Sequence, residues 1–354
     1  MLFWILGCGA SDMDISMDFG TPEPLVSSCE RQPPIEEERL SREYYLGAKV
    51  FTLMPDYQTL KSTSDLKEIG MNTASIVFTI PFDDDGAIRY PYSSLGLEFI
   101  DVDDHLCQVG NLIYDLKRDG MDVFISAEPH YYDKDRWMEL NPDWSGGPPK
   151  LTSFDDPEII SSFTQNVLPI MDKFARMVER YKVDFAAPIS EPDKYFGTEP
   201  TNAFMASVLP SFESFEGKLL WQVYGGEFLE PNWEELQYRY DFRGYDVMGM
   251  AVLGCDSPRE NWDNYIQTLS GWAQDDGVPE IFHAEFGCVQ VPDSEENAQE
   301  NLHHWFDMSD EYTNALIVLD APQRSEESQG IKGTWLEDWI REIAVEKGLL
   351  PNTD

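Results

Sequence analysis

Eight short apolar runs rich in β-branched and aromatic residues recur along this chain, and a stretch of helical period follows each of them. The runs are Ala48–Met54, Thr73–Ile80, Asp122–Ala127, Val183–Ile189, Leu219–Tyr224, Tyr245–Leu253, Glu280–Glu285 and Ala315–Leu319. The helical segments lie around Leu60–Ile69, Val102–Lys117, Pro157–Tyr181, Asn202–Phe215, Trp233–Tyr240, Asn261–Ala273, Glu295–Phe306 and Thr334–Val345. Strict β-then-α alternation permits a closed barrel or an open doubly wound sheet. An open sheet that binds a dinucleotide carries a glycine-rich turn after its first strand, and MPDYQTL from Met54 onward has none. Eight units therefore predict an α/β chain built as one (β/α)8 TIM barrel, a single catalytic domain over residues 43–350. The 354 residues hold such a barrel of about 250 residues together with long loops.

Local punctuation agrees with this division. LKEIGMN and LKRDGMD each place a basic residue and then a glycine near a helix end, just before the next strand. Asp156 before Pro157 reads as an N-cap with proline at the first helical position, and Ser294 before Glu295 and Glu296 reads as a cap followed by an acidic first turn.

Charge narrows the partners. The chain has 66 Asp and Glu against 25 Lys and Arg, a formal net charge of -41. So few cations argue against nucleic acid, whose phosphate counterions they would have to replace. The same repulsion disfavours polyuronates and anionic membrane surfaces. The acid is spread along the whole length, which suggests a surface adapted to a saline environment. Residues 1–8, MLFWILGC, are apolar and end at Cys8 after Ile5, Leu6 and Gly7, which resembles the end of a lipoprotein signal, although no basic region precedes the apolar run. Residues 9–42, with PEP at Pro22–Pro24 and PPIEEE at Pro33–Glu38, read as an acidic linker rich in Pro and Ser. An exported protein, extracellular or anchored to the cell surface through Cys8 without a transmembrane helix, is the expectation, with a cytoplasmic protein as the alternative. The five cysteines form no close-spaced metal pair and no CxxC. A bridge between Cys255 and Cys288, just past two successive strands, is geometrically conceivable beside the reading of both as free thiols.

Two of the runs end in a carboxylate. In VDFAAPISEPDKYFG, Val183 to Gly197, an apolar strand closes in a small-residue turn that presents Glu191 beside Pro192. In EIFHAEFGCV, Glu280 to Val289, a two-residue strand period puts Ile281, His283 and Glu285 on one side before Gly287 ends the run. That period makes His283 an inward residue one layer below Glu285. Barrel strand ends gather on the face that carries active sites, so carboxylates after strands four and seven can converge on one ligand. Such a pair is what hydrolysis of a glycosidic bond needs, one carboxyl as proton donor and one as nucleophile or base. The plainer readings are a first-turn helix carboxylate for Glu191 and a barrel-end salt bridge for Glu285.

These motifs resemble the retaining glycoside hydrolases of clan GH-A, with SEP at Ser190–Pro192 where the clan usually has Asn-Glu-Pro, and EFG at Glu285–Gly287. The likeness in layout runs from Gly47 to Leu349. It implies Glu191 as general acid and base, Glu285 as nucleophile and a β-linked substrate. The chain departs from the clan at Ser190, in strand six (MGMAVLGCD, no aromatic), in strand eight (LDAPQRS, no Trp) and in strand two (SIVFTIPF, no Arg).

Aromatic faces that could stack on sugar rings come from the long loop EPHYYDKDRWMELNPDWSGG, which offers Glu128, His130, Tyr131, Tyr132, Trp137 and Trp144, and from Tyr195, Trp221 and Tyr224. Each of these is also an ordinary packing residue. His283 reads equally as a core histidine. No HExxH, GxSxG elbow or phosphate loop is present, so neither a metal nor another cofactor is expected. The expectation is a glycosidase acting on a neutral mannan, glucan or galactan. Its rivals are a carbohydrate-binding barrel without activity and a hydrolase or lyase of another class that relies on His130 or His283.

Overall fold

The computed structural model describes residues 29–50, 59–94, 97–132, 156–224, 239–255, 258–288, 294–310, 313–320 and 330–352. Eight parallel strands close into a barrel: β1 (Tyr45–Lys49), β2 (Thr73–Phe82), β3 (Asp122–Tyr131), β4 (Phe185–Ala187), β5 (Lys218–Val223), β6 (Val247–Val252), β7 (Glu280–Phe286) and β8 (Thr313–Leu319). β1 pairs with β8 on one side and β2 on the other, which closes the ring. The helices are α1 (Thr63–Glu68), α2 (Val102–Arg118), α3 (Pro157–Arg180), α4 (Thr198–Val208), α5 (Arg259–Asp275), α6 (Glu295–Ser309) and α7 (Trp335–Glu346). No helix among the described residues is long and apolar enough to cross a membrane.

The expected helix starts form as capped ends. Asp156 Oδ1 accepts from the Glu158 amide at 2.8 Å, and Ser294 Oγ accepts from the Asn297 amide at 3.3 Å. Some boundaries move. β1 starts at Tyr45 and ends at Lys49, because Tyr45 already pairs with Ala315. β4 stops before Pro188, which has no N–H for the ladder. The helix expected over Trp233–Tyr240 lies mostly outside the described residues.

Alternation along the strands stacks the barrel interior in three layers. At the bottom, where the strands begin, charges pair: Arg42 with Asp122, Lys117 with Asp184 at 2.7 Å, and Lys218 with Glu280. Two residues further along, Phe124, Leu220 and Phe282 face inward beside Tyr45, Phe185 and Val247. The Tyr45 and Phe185 rings meet edge-on at 4.7 Å, and Phe185 meets Phe282 at 4.6 Å. This apolar plug supports a polar top layer of Lys49, Glu128, Gln222 and Glu285.

From Cys29 on, the segment expected to belong to a linker lies against the barrel. Cys29 is bridged to Cys107 on α2, the Gln32 amide donates to Asn111 Oδ1 at 3.0 Å, Ile35 is buried, and Arg39 Nε donates to the Val183 carbonyl at 2.7 Å. One apolar residue and two arginines, Arg39 and Arg42, dock a stretch whose composition is otherwise that of a solvated tether. Cys255 and Cys288 are bridged as well.

Candidate active site

Glu191 stands on a clamped turn. The Ser190 amide donates to the Ala127 carbonyl of β3 at 2.7 Å, and the Glu191 amide donates to the Gln222 carbonyl of β5 at 3.2 Å. Between these bonds Glu191 has φ +50, the left-handed region that costs a non-glycine residue of order 1 kcal/mol or more and persists only where its surroundings enforce it. The following one-turn helix, Asp193–Phe196, is anchored by Asp193, whose carboxylate accepts from the Tyr224 amide at 3.0 Å and the Tyr240 hydroxyl at 2.9 Å. That turn brings Lys194 Nζ to 3.5 Å from Glu191 Oε2, with the ammonium 5.2 Å from the centre of the Tyr224 ring. The Tyr195 hydroxyl donates to the Pro129 carbonyl at 3.1 Å.

Glu285 arrives by an irregularity. Pairing of β7 with β6 slips between Met250 and Ala251, and its pairing with β8 slips between Leu316 and Val318. Two consecutive side chains, Ala284 and Glu285, consequently face the interior: Ala284 packs on the apolar plug and Glu285 meets the polar layer above it. Glu285 Oε1 accepts from Gln222 Nε2 at 2.9 Å and is ion-paired with Lys49, whose Nζ also lies 3.7 Å from Glu128 Oε1.

The two carboxyls are equally hidden, Glu191 being 5% and Glu285 6% exposed, but their partners differ. Glu285 has a cation and an amide donor on one oxygen. Glu191 Oε1 has no hydrogen-bond partner among the described residues, and the cation near its other oxygen is at the limit of contact. Burial pushes the Glu191 carboxyl up to about 8, and the Glu285 and Asp193 charges add to this against the opposing pull of Lys194 and Lys49. Burial works against the charge on Lys49, yet Glu128 and Glu285 together hold its ammonium above the ordinary lysine value.

A stability consequence follows from Glu191. A carboxyl whose value is raised in the fold contributes stability that is complete below the ordinary carboxylate value of 4.5 and is lost as pH rises through about 8. The variant Glu191→Gln should therefore melt with wild type near pH 4.5 and above it at pH 9, by on the order of a few kcal/mol. Thermal melts at the two pH values check this.

The other expected site residues divide. Tyr195, Tyr224 and Ser190 lie beside Glu191. Ser190 Oγ is buried with no partner among the described residues, and this residue contributes its backbone to the clamp. His130 Nδ1 is 2.6 Å from the Tyr92 hydroxyl, and Tyr132, 40% exposed, follows at the end of β3. Trp137 and Trp144 lie outside the described residues.

Three expectations are corrected. His283 does not share the inward side with Glu285, because the slip in β7 falls between them; its Nε2 is 2.6 Å from Ser309 Oγ on α6 and its ring packs on Phe286. Burial pushes His283 down to about 3, so it is a neutral core histidine. Trp221 alternates with the inward Leu220 and Gln222 and so faces outward, packed against Tyr240, Phe242 and Tyr245. Tyr131 is buried against Phe82 with its hydroxyl on Asp84. Lys49, Gln222 and Lys194 belong to this site without any motif that marks them. The available signal was a lysine and a glutamine at inward positions of otherwise apolar strands. No group of residues suited to a metal ion occurs among the described residues.

No protein-family model and no curated protein matches this chain. Solved structures do. The GH113 β-mannanase AaManA of Alicyclobacillus acidocaldarius aligns with a TM-score of 0.53 at 14% identity, covering 80% of this chain and 90% of its own. The hyperthermostable endo-1,4-β-D-mannanase of Thermotoga petrophila aligns with a TM-score of 0.55 at 11% identity, covering 85% and 99%. Endo-glycoceramidase II of a Rhodococcus species aligns with a TM-score of 0.55 at 12% identity, covering 84% and 77%. Such identities establish likeness of fold, and the chain accordingly shares the (β/α)8 barrel of these glycoside hydrolases.

Proposed function

We propose that this protein is a glycoside hydrolase that cleaves a neutral β-linked poly- or oligosaccharide by a retaining two-carboxylate mechanism. The observation that carries the reading is the unequal setting of two carboxyls on one barrel mouth: Glu191 buried with one oxygen that has no hydrogen-bond partner among the described residues, Glu285 held by Lys49 and Gln222. A carboxyl that keeps its proton near neutral pH is a general acid; one that is ion-paired is a nucleophile.

In the first step a Glu285 oxygen attacks the anomeric carbon while Glu191 gives its proton to the departing glycosidic oxygen. Lys49 and Gln222 fix the attacking group, so little reorganisation accompanies the reaction. Once Glu285 is an ester its charge is gone, and with it one of the influences that raise Glu191. Glu191 then takes a proton from water, which attacks the same carbon and restores Glu285. Two of the three compared proteins are described as mannanases, so β-1,4-mannan is the leading substrate, with glucans and galactans behind it. The carboxylates Glu128 and Glu285 at the mouth, and the net charge of -41, support a neutral glycan.

The two disulfides fit export to an oxidising compartment, with Cys8 as the proposed lipid attachment point. The spread of acid supports a saline setting, so assays belong in high salt.

Release of reducing ends from a panel of mannan, glucan and galactan tests the reading. Cleavage of one class supports it, and binding without cleavage would replace it with a carbohydrate-binding barrel. Activity should fall on the alkaline side near pH 8 as Glu191 loses its proton. Because Lys194 opposes protonation of Glu191, Lys194→Met should move that limb to higher pH, which a kcat/KM profile reads directly.

A further inference from the structure

The bridge between Cys255 and Cys288 joins the loops that leave β6 and β7 on the catalytic face, three residues beyond Glu285. It lies just beyond an irregular stretch of the backbone ladder. Both neighbours of β7 lose register beside Glu285, and regular pairing ends at Phe286. Past that point the Gly287 amide donates to the Val252 carbonyl at 3.0 Å, with Gly287 at φ +145, a conformation that side-chain-bearing residues rarely adopt. The β6 end of the bridge is itself held, since the Cys255 carbonyl accepts from Asn301 Nδ2 of α6 at 2.8 Å. A slipped strand carries the reacting carboxylate, and a covalent link to a fixed neighbour closes the slip on its far side. The other bridge, Cys29–Cys107, ties the N-terminal segment to α2.

We infer that Cys255–Cys288 is a positioning link for Glu285, so that hydrolysis depends on the oxidised state of this bridge. The inference rests on the assignment of Glu285 as nucleophile. With the bridge closed, the bulge in β7 holds the carboxylate against Lys49 and Gln222. Reduction by a dithiol breaks one S–S bond, transfers two electrons and two protons from the reagent to give two thiols, and leaves the reagent as its cyclic disulfide. The end of β7 is then tied to β6 without a covalent link, through backbone bonds such as Gly287 to Val252, and the carboxylate loses its fixed place.

The test compares C255S/C288S with C29S/C107S and wild type on a neutral β-glycan, at a temperature well below the melting point of all three. The first variant should lose about 10- to 100-fold in kcat with KM within about twofold, since displacement of a reacting group by an ångström costs rate rather than binding. The second should melt earlier yet keep its kcat. Amide hydrogen exchange at Gly287 is read in parallel, and it should quicken in C255S/C288S alone. Full kcat in C255S/C288S, or equal losses in both variants that follow the fraction unfolded, overturns the inference. If wild type cleaves no glycan, the hydrolase reading fails by itself and exchange decides the link: quickening confined to C255S/C288S upholds it, and unchanged protection at Gly287 overturns it.

Discussion

Glu285→Gln should lower kcat by about 10⁴-fold or more while KM for the glycan stays within a few-fold, the pattern for a group that acts only in the transition state. Glutamine has nearly the same shape, and Gln222 still has an oxygen to bond, so the fold and the sugar contacts persist. What disappears is the oxygen able to form a glycosyl ester. Lys49 keeps a counter-charge in Glu128, 3.7 Å away, so its ammonium is not stranded by the change. Glu191→Gln should behave differently. It removes proton donation, worth about 10²- to 10⁴-fold, but the loss should shrink for aryl glycosides whose leaving group needs no proton. It should also abolish the alkaline limb near pH 8, because the group that titrates there is gone. Steady-state kinetics on a natural glycan and on an activated aryl glycoside separate the two carboxyls by role.

Lys49→Met should be the second large effect, with kcat down by about 10²- to 10³-fold and KM little changed, comparable to removing a preorganised charge from an active site. Lys49 lies at the end of β1, 5% exposed, between Glu285 and Glu128. Without it the buried Glu285 carboxylate loses its cation and faces the half-buried Glu128 across the mouth, an uncompensated buried charge. Gln222→Ala removes a neutral donor from the same Glu285 oxygen and should cost less, about tenfold. A ranking with Gln222 above Lys49 would show that shape rather than charge prepares Glu285.

Much of this was legible from residue order alone, for physical reasons that also explain the misses. Apolar runs bounded by helix caps count correctly, because burying a strand on both faces demands such runs. Glu191 and Glu285 stand out as carboxylates where those runs end. A period of two puts His283 inward because it assumes an unbroken ladder, and nothing in IFHAEFG announces that β7 slips. Trp221 was recoverable: in KLLWQV the inward Leu220 and Gln222 send it outward. Lys49 is hidden because the apolar run begins at Ala48, which makes this lysine a second residue, whereas β1 ends at it on the mouth. The segment 29–42 has the composition of a tether because its average hides Ile35 and the two docking arginines.

The most direct test of the account is the mass of Glu191→Ala after brief exposure to an activated neutral β-glycoside. With the acid and base gone but a good leaving group supplied, the first step proceeds and the second lags. A mass increase of one glycosyl residue is expected on the peptide that contains Glu285, together with slow release of a sugar of retained configuration. A product of inverted configuration, or an adduct on any other residue, would contradict it.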